Sequence, residues 1–445
     1  MQEVDLVVSA DWVVPVAPGE NDVLTHYSAV VHDGRIVDLT PTDAVAERYI
    51  PGQHLERPGH VLMPGLINAH TCASRVLLRG YGDGMRREAL HARRVAPAEK
   101  RWLSESFVRD GTELAIAEML LGGTTCFSTS DAFPDVVARI AARLSLRACV
   151  GLPVSEASSR WAEDAADAMR KNLKVHDAYK GNPLLGFAFA PAAVHEVTDA
   201  TFKRVRALAD QLELPVQVPL HATAAEVHRS VTDTGSRPLA RLDEHGLVTP
   251  LLRAIHMTQL LPSDIDLLAE RGAHVVHCPE AALKLASGIC PVNALHEAGV
   301  NVALGTGSAV SNNDLDLFGE LRTAALVAKI ESNNAAALPA HSALAMATLD
   351  SARCLGLGDE CGSLEAGKWA DMITVDLDRA GTQPVYDPVS QVVHCASRDQ
   401  VNDVWVAGRQ QVAAGRLTNL SASDAIARAK GWRDRIHADT EAQGA

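Results

Sequence analysis

A chain of 445 residues with 47% hydrophobic and 22% charged side chains has the composition of a folded globular protein, and the length to bury a large core without staples. Its net charge of −14 and aromatic content of 4% speak against nucleic acid, which demands clustered Lys and Arg and a stacking surface. No run of about 18 apolar residues is present, so no membrane span is predicted.

The N-terminal MQEVDLVVSADWVVPV has no basic leader ahead of an apolar run, and no signal peptide is predicted. Residues 1–60 alternate short β-rich runs with turns, and Asp33-Gly34 between two apolar runs is a hairpin signal. From 61 to 361, short apolar runs such as GTTCFST, RACVGLPV, LGFAFAP, PVQVPLH, RAIHM, AHVVHC and NVALGTG alternate with amphipathic helical patterns. That alternation predicts parallel strands with helical crossovers, and about eight repeats point to a closed (β/α)8 barrel with its chemistry where strands end. β-rich runs return in ADMITVDL, VSQVVHCA and VNDVWVAGRQQVAAGRL, so 1–60 and 362–420 are expected to pair into a small β-sandwich domain. Residues 421–445 are expected to form a C-terminal helix. The eight cysteines are scattered and never form Cys-x-x-Cys, which reads as reduced, mostly buried thiols of a cytoplasmic protein.

Several phrases carry a family likeness: PGLINAHT (64–71), GTTCF (123–127), HCPE (277–280), LKLASG (283–288), NVALGTG (301–307), SNNDLDLFGELRTAAL (311–326), GSLEAGKWADMITVDL (362–377) and YDPVSQVVH (386–394). Together they resemble the amidohydrolase superfamily over nearly the whole chain, and within it the ATZ/TRZ branch of S-adenosylhomocysteine, guanine and hydroxytriazine aminohydrolases. The resemblance implies a divalent metal held by His-x-His on the first strand, a later His and a last-strand Asp. Such a set leaves an open metal position and lowers the pKa of bound water to about 7. A Glu near the third ligand moves protons to the leaving amine.

Laid on this chain, the pattern is broken. The first-strand pair reads His70-Thr71-Cys72, the next His falls at Pro219, the Glu at Ala222 and the Asp at Gly307. His256 matches the histidine that orients the attacking water. A segment with a family His reads Ala190-Pro191-Ala192-Ala193-Val194-His195, and the stretch 82–94 carries Arg86, Arg87, Arg93 and Arg94.

The candidate catalytic residues are therefore His256, His70, Glu196 and Cys72, and the candidate substrate-binding residues are His195, His221, Asp131, His277 and Arg86. Each has a plainer reading beside the functional one. Cys72 is a nucleophile near His70 or a thiol filling the space of a lost ligand. His195-Glu196 is an acid–base pair or a solvated loop, and Asp131 a pocket carboxylate of the same standing. The arginine run caps the pocket over an anionic ligand or is a solvated helix face. No metal and no cofactor are expected. The leading expectation is a metal-independent enzyme that uses acid–base chemistry for hydrolysis, elimination, isomerisation or cyclisation of a nitrogen-heterocyclic or nucleoside-like small molecule. Two alternatives stay open: an inactive homologue binding a ligand or partner, and a C–N hydrolase with an altered His/Cys metal site using His70, Cys72 and His256, with His221 or His277. A homodimer or higher homo-oligomer is expected.

Overall fold

The structure is a computed structural model that describes residues 1–19 and 23–444, with backbone alone from 439 onward. It divides into two compact units. The first comprises Met1–Ala69, Glu118–Cys126 and Asp316–Leu420. Its centre is one mixed sheet of eight strands built from both ends of the chain. Strand Gln2–Val13 pairs antiparallel with Leu24–His32 and parallel with Tyr49–Pro64. Leu24–His32 turns back into Arg35–Pro41 through Asp33 and Gly34, whose φ values of 49° and 74° give the doubly left-handed turn that suits a two-residue hairpin. On the other edge, Met372–Asp376 pairs antiparallel with Tyr49–Pro64, and Val401–Val406, Arg409–Ala413 and Arg416–Leu417 follow outward. Alternate residues supply the core: Leu6, Val8 and Ala10 pack with Ala29, Val31, Leu62, Met372 and Trp405, while Val7 and Val30 form a second cluster with Val4, Val45 and Tyr49.

The second sheet also has eight strands, and these neighbour one another in chain order: Leu66–Thr71, Thr124–Thr129, Arg147–Val154, Leu185–Pro191, Val216–Leu220, Leu252–His256, His274–His277 and Val302–Leu304. Side chains on both faces are buried, which is why these runs read as near-continuous apolar segments rather than alternating ones. The sheet closes on itself. Thr71 bridges Gly307 in parallel, Gly307 N donates to His70 O at 3.0 Å and Cys72 N donates to Gly307 O at 3.3 Å. Gly305 has to be a glycine here, since a Cβ would come within 2.8 Å of both His70 N and O. The expected (β/α)8 barrel with a small β domain from both termini is thus the fold, with one mixed sheet where a β-sandwich was expected.

The second unit comprises residues 70–117, 127–315 and everything from Ser421. Its helices start where the local chemistry dictates. Thr198 and Thr223 cap helices Asp199–Leu212 and Ala224–Thr234 with their side chains, and Pro occupies the first turn of Pro134–Leu144, Pro238–Glu244 and Pro279–Lys284. The C-terminal helix Ala422–Gly444 is pinned by buried Trp432, whose Nε1 donates to Asp110 at 2.9 Å, and by Arg428, which pairs with Asp110 and Glu113. No helix among the described residues is long and apolar enough to cross a membrane.

Candidate functional site

The C-terminal ends of the barrel strands bring three imidazoles together: His70 from Leu66–Thr71, His256 from Leu252–His256 and His277 from His274–His277. The rings of His70 and His256 lie 6.1 Å apart, edge to face. His256 holds a left-handed backbone (φ 82°), rare for a branched or ring side chain and retained where surrounding structure enforces it.

Into this group comes Arg87, from a short helix Arg87–Leu90 that runs on into a wider turn over His91–Val95. Its Nη2 donates to His256 Nε2 at 2.9 Å. A guanidinium has no lone pair to offer, so His256 Nε2 is unprotonated and the ring is neutral. Burial drives His256 well below its usual 6.5, and the charge of Arg87, then His70 and His277, push the same way. Burial, followed by Arg87 and Arg75, takes His70 to about 3, and burial alone takes His277 to about 3. The mouth therefore holds neutral imidazoles beside the Arg87 cation, with Arg75 also reaching His70. Nδ1 of His70 and Nδ1 of His277 are buried without a hydrogen-bond partner.

The cation has its own counter-group. Burial lowers the Arg87 pKa, while Glu226 is the foremost of the groups that oppose this, followed by the thiols of Cys278 and Cys72. Glu226 stands on the first turn of Ala224–Thr234, which begins just beyond strand Val216–Leu220. Neither Arg87 nor Glu226 is among the residues singled out from the sequence as the site's agents. Arg86 was the arginine expected there; it faces solvent, and the neighbouring Arg87 is the one that enters. A signal for Glu226 did exist, because Thr223-x-x-Glu226 is a capping-box spacing directly after a strand end.

The other candidates fall into place with different duties. Cys72 is buried, and burial raises its thiol to about 11, with Arg75 Nη1 3.6 Å from the sulfur. A thiol so rarely ionised is the packed filler, not an activated nucleophile. Asp131 is buried and spends its carboxylate on structure: it accepts from Ala73 N at 2.9 Å, Ser74 N at 3.0 Å and the hydroxyls of Ser74 and Thr129. His221 is fully buried, and its ring is spent on structural bonds. Its ring bonds Gln259 O at 3.0 Å, and Nε2 accepts from Leu239 N at 3.1 Å. His195 and Glu196 sit on the turn Val194–Glu196 with 3.8 Å between ring and carboxylate. The charges acting on His195 are Glu196, Arg229, Asp233 and Arg241, while Glu196 also acts on His91 beside Arg75 and Arg87.

The donors at the mouth do not make a seat for a metal ion in this arrangement. Among the described residues, no three His, Cys, Asp or Glu donors there converge to within 4.8 Å; the one such group, Asp5, His32 and Asp33, lies in the other unit. Arg87 also takes the nitrogen of His256 that a ligand set would need.

Comparison with known proteins weighs on function. The chain is 44% identical over 435 residues to a 5-methylthioadenosine/S-adenosylhomocysteine deaminase of Teredinibacter turnerae, spanning 98% of each chain. It is 41% identical to the protein of the same name in Saccharophagus degradans, spanning 98% of this chain and 97% of that one. A crystal structure of an adenosine deaminase from Xanthomonas campestris with bound zinc superposes with a TM-score of 0.97 at 46% identity, covering 98% of this chain and 99% of that chain. These relatives overturn the expectation of a metal-independent acid–base enzyme, and with it the inactive-homologue reading, because proteins this similar over their full length are deaminases and one of them carries zinc. Residues 61–410 match the amidohydrolase family profile, and the chain belongs to that family.

Proposed function

We propose that the protein is a hydrolytic deaminase of adenine nucleosides of the 5′-methylthioadenosine and S-adenosylhomocysteine class. The observation that carries this is the end-to-end identity of 44% to a deaminase of that name, joined to the 0.97 superposition on an adenosine deaminase. The site supports it in kind. Barrels of this type act at the C-terminal ends of their strands, where His70, His256 and His277 stand. Neutral imidazoles present lone pairs to amino hydrogens, as an aminopurine edge requires, without the repulsion that imidazolium would bring to a leaving amine. No ion seat is formed by the donors described, so what the chain itself contributes is the buried, neutral imidazoles and the Arg87 cation.

Purified protein, assayed with and without added zinc, is expected to release ammonia from 5′-methylthioadenosine, S-adenosylhomocysteine or adenosine, with the ultraviolet shift of a 6-aminopurine becoming a 6-oxopurine. Absence of ammonia from all three under both conditions would sink the reading.

A further inference from the structure

One half-buried glutamate in the second unit has a buried oxygen without a bond. Glu226 occupies the third position of helix Ala224–Thr234, where its backbone N donates to the Thr223 cap at 3.1 Å, and its Oε2 accepts from Ala222 N at 2.8 Å. That much is a capping arrangement, in which a glutamate satisfies the amides ahead of its own helix. The other oxygen is different. Glu226 Oε1 is buried and accepts no hydrogen bond. A buried carboxylate oxygen without a donor gives up the solvation that an exposed glutamate closing the same box would keep. Burial raises the Glu226 carboxyl above its ordinary range; the amide of Ala222, then the charge of Arg87, then the backbone of His221 and Thr223 oppose it. Raised in this way, the carboxyl holds a proton more readily than a solvated glutamate, as a proton carrier must.

Its position is as telling as its state. By the family resemblance, Ala222 stands where the proton-moving glutamate would be, and the Glu226 carboxylate lies against the backbone of that residue. From the barrel's first loop, Arg87 acts on it directly, and the neighbouring Glu88 is tied away to Thr223 at 2.6 Å. On the turn Val194–Glu196, His195 answers to Glu196 and to Arg229 and Asp233 farther along the helix, leaving Arg87 as the charge that governs Glu226.

We infer that Glu226, reaching back one helical turn to the place of the missing side chain, carries the proton from the attacking water to the leaving amine in the deamination proposed above, on which this assignment rests. The water oxygen bonds to purine C6, and one of its protons passes to the Glu226 carboxylate. The acid so formed gives that proton to the exocyclic nitrogen. The C6–N bond then breaks with its electron pair on nitrogen, ammonia leaves, and the second water proton ends on N1 of the 6-oxopurine. Atoms and charge balance with water as the other reactant.

The test is the ammonia-release assay on Glu226→Gln and Glu226→Asp beside the unaltered protein, with full pH profiles. The glutamine keeps an oxygen for Ala222 N but cannot carry the proton. It is expected to lose about 100-fold or more in kcat, the usual yield of a positioned acid–base group, with KM little changed and the acid limb of the profile gone. The aspartate keeps the carboxyl at a shorter reach and is expected to retain a displaced acid limb at reduced kcat, which preserves the test if the glutamine variant fails to fold. A folded Glu226→Gln with unaltered kcat and acid limb overturns the assignment while leaving deamination standing. An unaltered protein that releases no ammonia overturns deamination itself, and the assignment with it.

Discussion

Arg87 donates from its Nη2 to Nε2 of His256 across 2.9 Å, joining residues 169 apart in the chain at the mouth of one barrel. The guanidinium is a permanent charge, and it lowers the pKa of each titratable neighbour it reaches. It helps to lower His256 and His70, and it lowers the carboxyl of Glu226 against the effect of burial.

Replacing the cation by an apolar chain of similar length should therefore move neighbours in one direction. In Arg87→Met, both His256 and Glu226 are expected to titrate at higher pH than in the unaltered protein. The imidazole loses a repelling charge, and the carboxyl loses an attracting one. Imidazole proton resonances followed over pH, with His256→Asn to assign them, report the first; the acid limb of the rate profile reports the second. Unmoved titrations would show that the Arg87 charge does not reach these groups in solution.

How much of this could be read from the chain follows from what each residue does. The barrel was legible because buried parallel strands and their crossover helices leave an alternation that few other folds share. His70, His256 and His277 were legible because chemistry in such a barrel lies just past each apolar run. The choice between Arg86 and Arg87 was not. Adjacent residues on a helical turn point about 100° apart, and a two-turn segment offers too few apolar positions to fix which one faces inward. Asp131 and His221 looked like pocket groups because the sequence shows a polar residue at a strand end but not the backbone amides and carbonyls waiting for it. Glu226 looked like a cap and is one; its burial depends on a loop distant in sequence. The lost ligand positions at Cys72, Pro219 and Gly307, with the lost glutamate at Ala222, suggested a chemistry without metal, and full-length likeness to deaminases corrected that, since similarity over the whole chain weighs the scaffold and substrate pocket as well as a few positions.

Acid should destabilise the protein well before its carboxylates are protonated. Folded-state values of about 3 for His70 and His277 lie below the 6.5 of a solvated imidazole. Between those values the unfolded chain binds more protons than the folded one, so stability rises with pH. The contribution is complete above 6.5 and is lost as pH falls from 6.5 towards 3. Two such imidazoles give a loss of about 4 kcal/mol between pH 8 and pH 5. Urea unfolding at pH 8, 6 and 5 should show it, and His277→Gln should remove about half the slope. Equal stability at pH 8 and pH 5 would mean that these rings are reached by water.

Thiol chemistry offers a separate check. Seven of the cysteines are buried and Cys395 is exposed. With its pKa near 11, Cys72 is almost wholly protonated at neutral pH. Iodoacetamide on the folded protein should label Cys395 and leave Cys72 unlabelled until denaturant is added. Cys72→Ala should keep most of the turnover, in contrast to the loss of about six orders of magnitude that can follow removal of a true nucleophile. Rapid labelling of Cys72, or abolished turnover in the alanine variant, would restore the nucleophile reading.

Asp131 is the residue whose loss should be felt most in the fold of the mouth. Its two oxygens hold the amides of Ala73 and Ser74, the residues that follow His70-Thr71-Cys72 out of the first strand. Asp131→Ala leaves those buried donors without their carboxylate, at a cost of about 3 kcal/mol or more, since bonds to a charged acceptor are worth about 1.5–3 kcal/mol each. Asp131→Asn keeps the size and one acceptor oxygen, so it should fall between. Because the anchored segment carries His70, turnover should fall along with stability in both variants, and in the same order. Matching urea midpoints for Asp131→Ala and the unaltered protein would show that the amides find other partners and that the carboxylate serves the pocket instead.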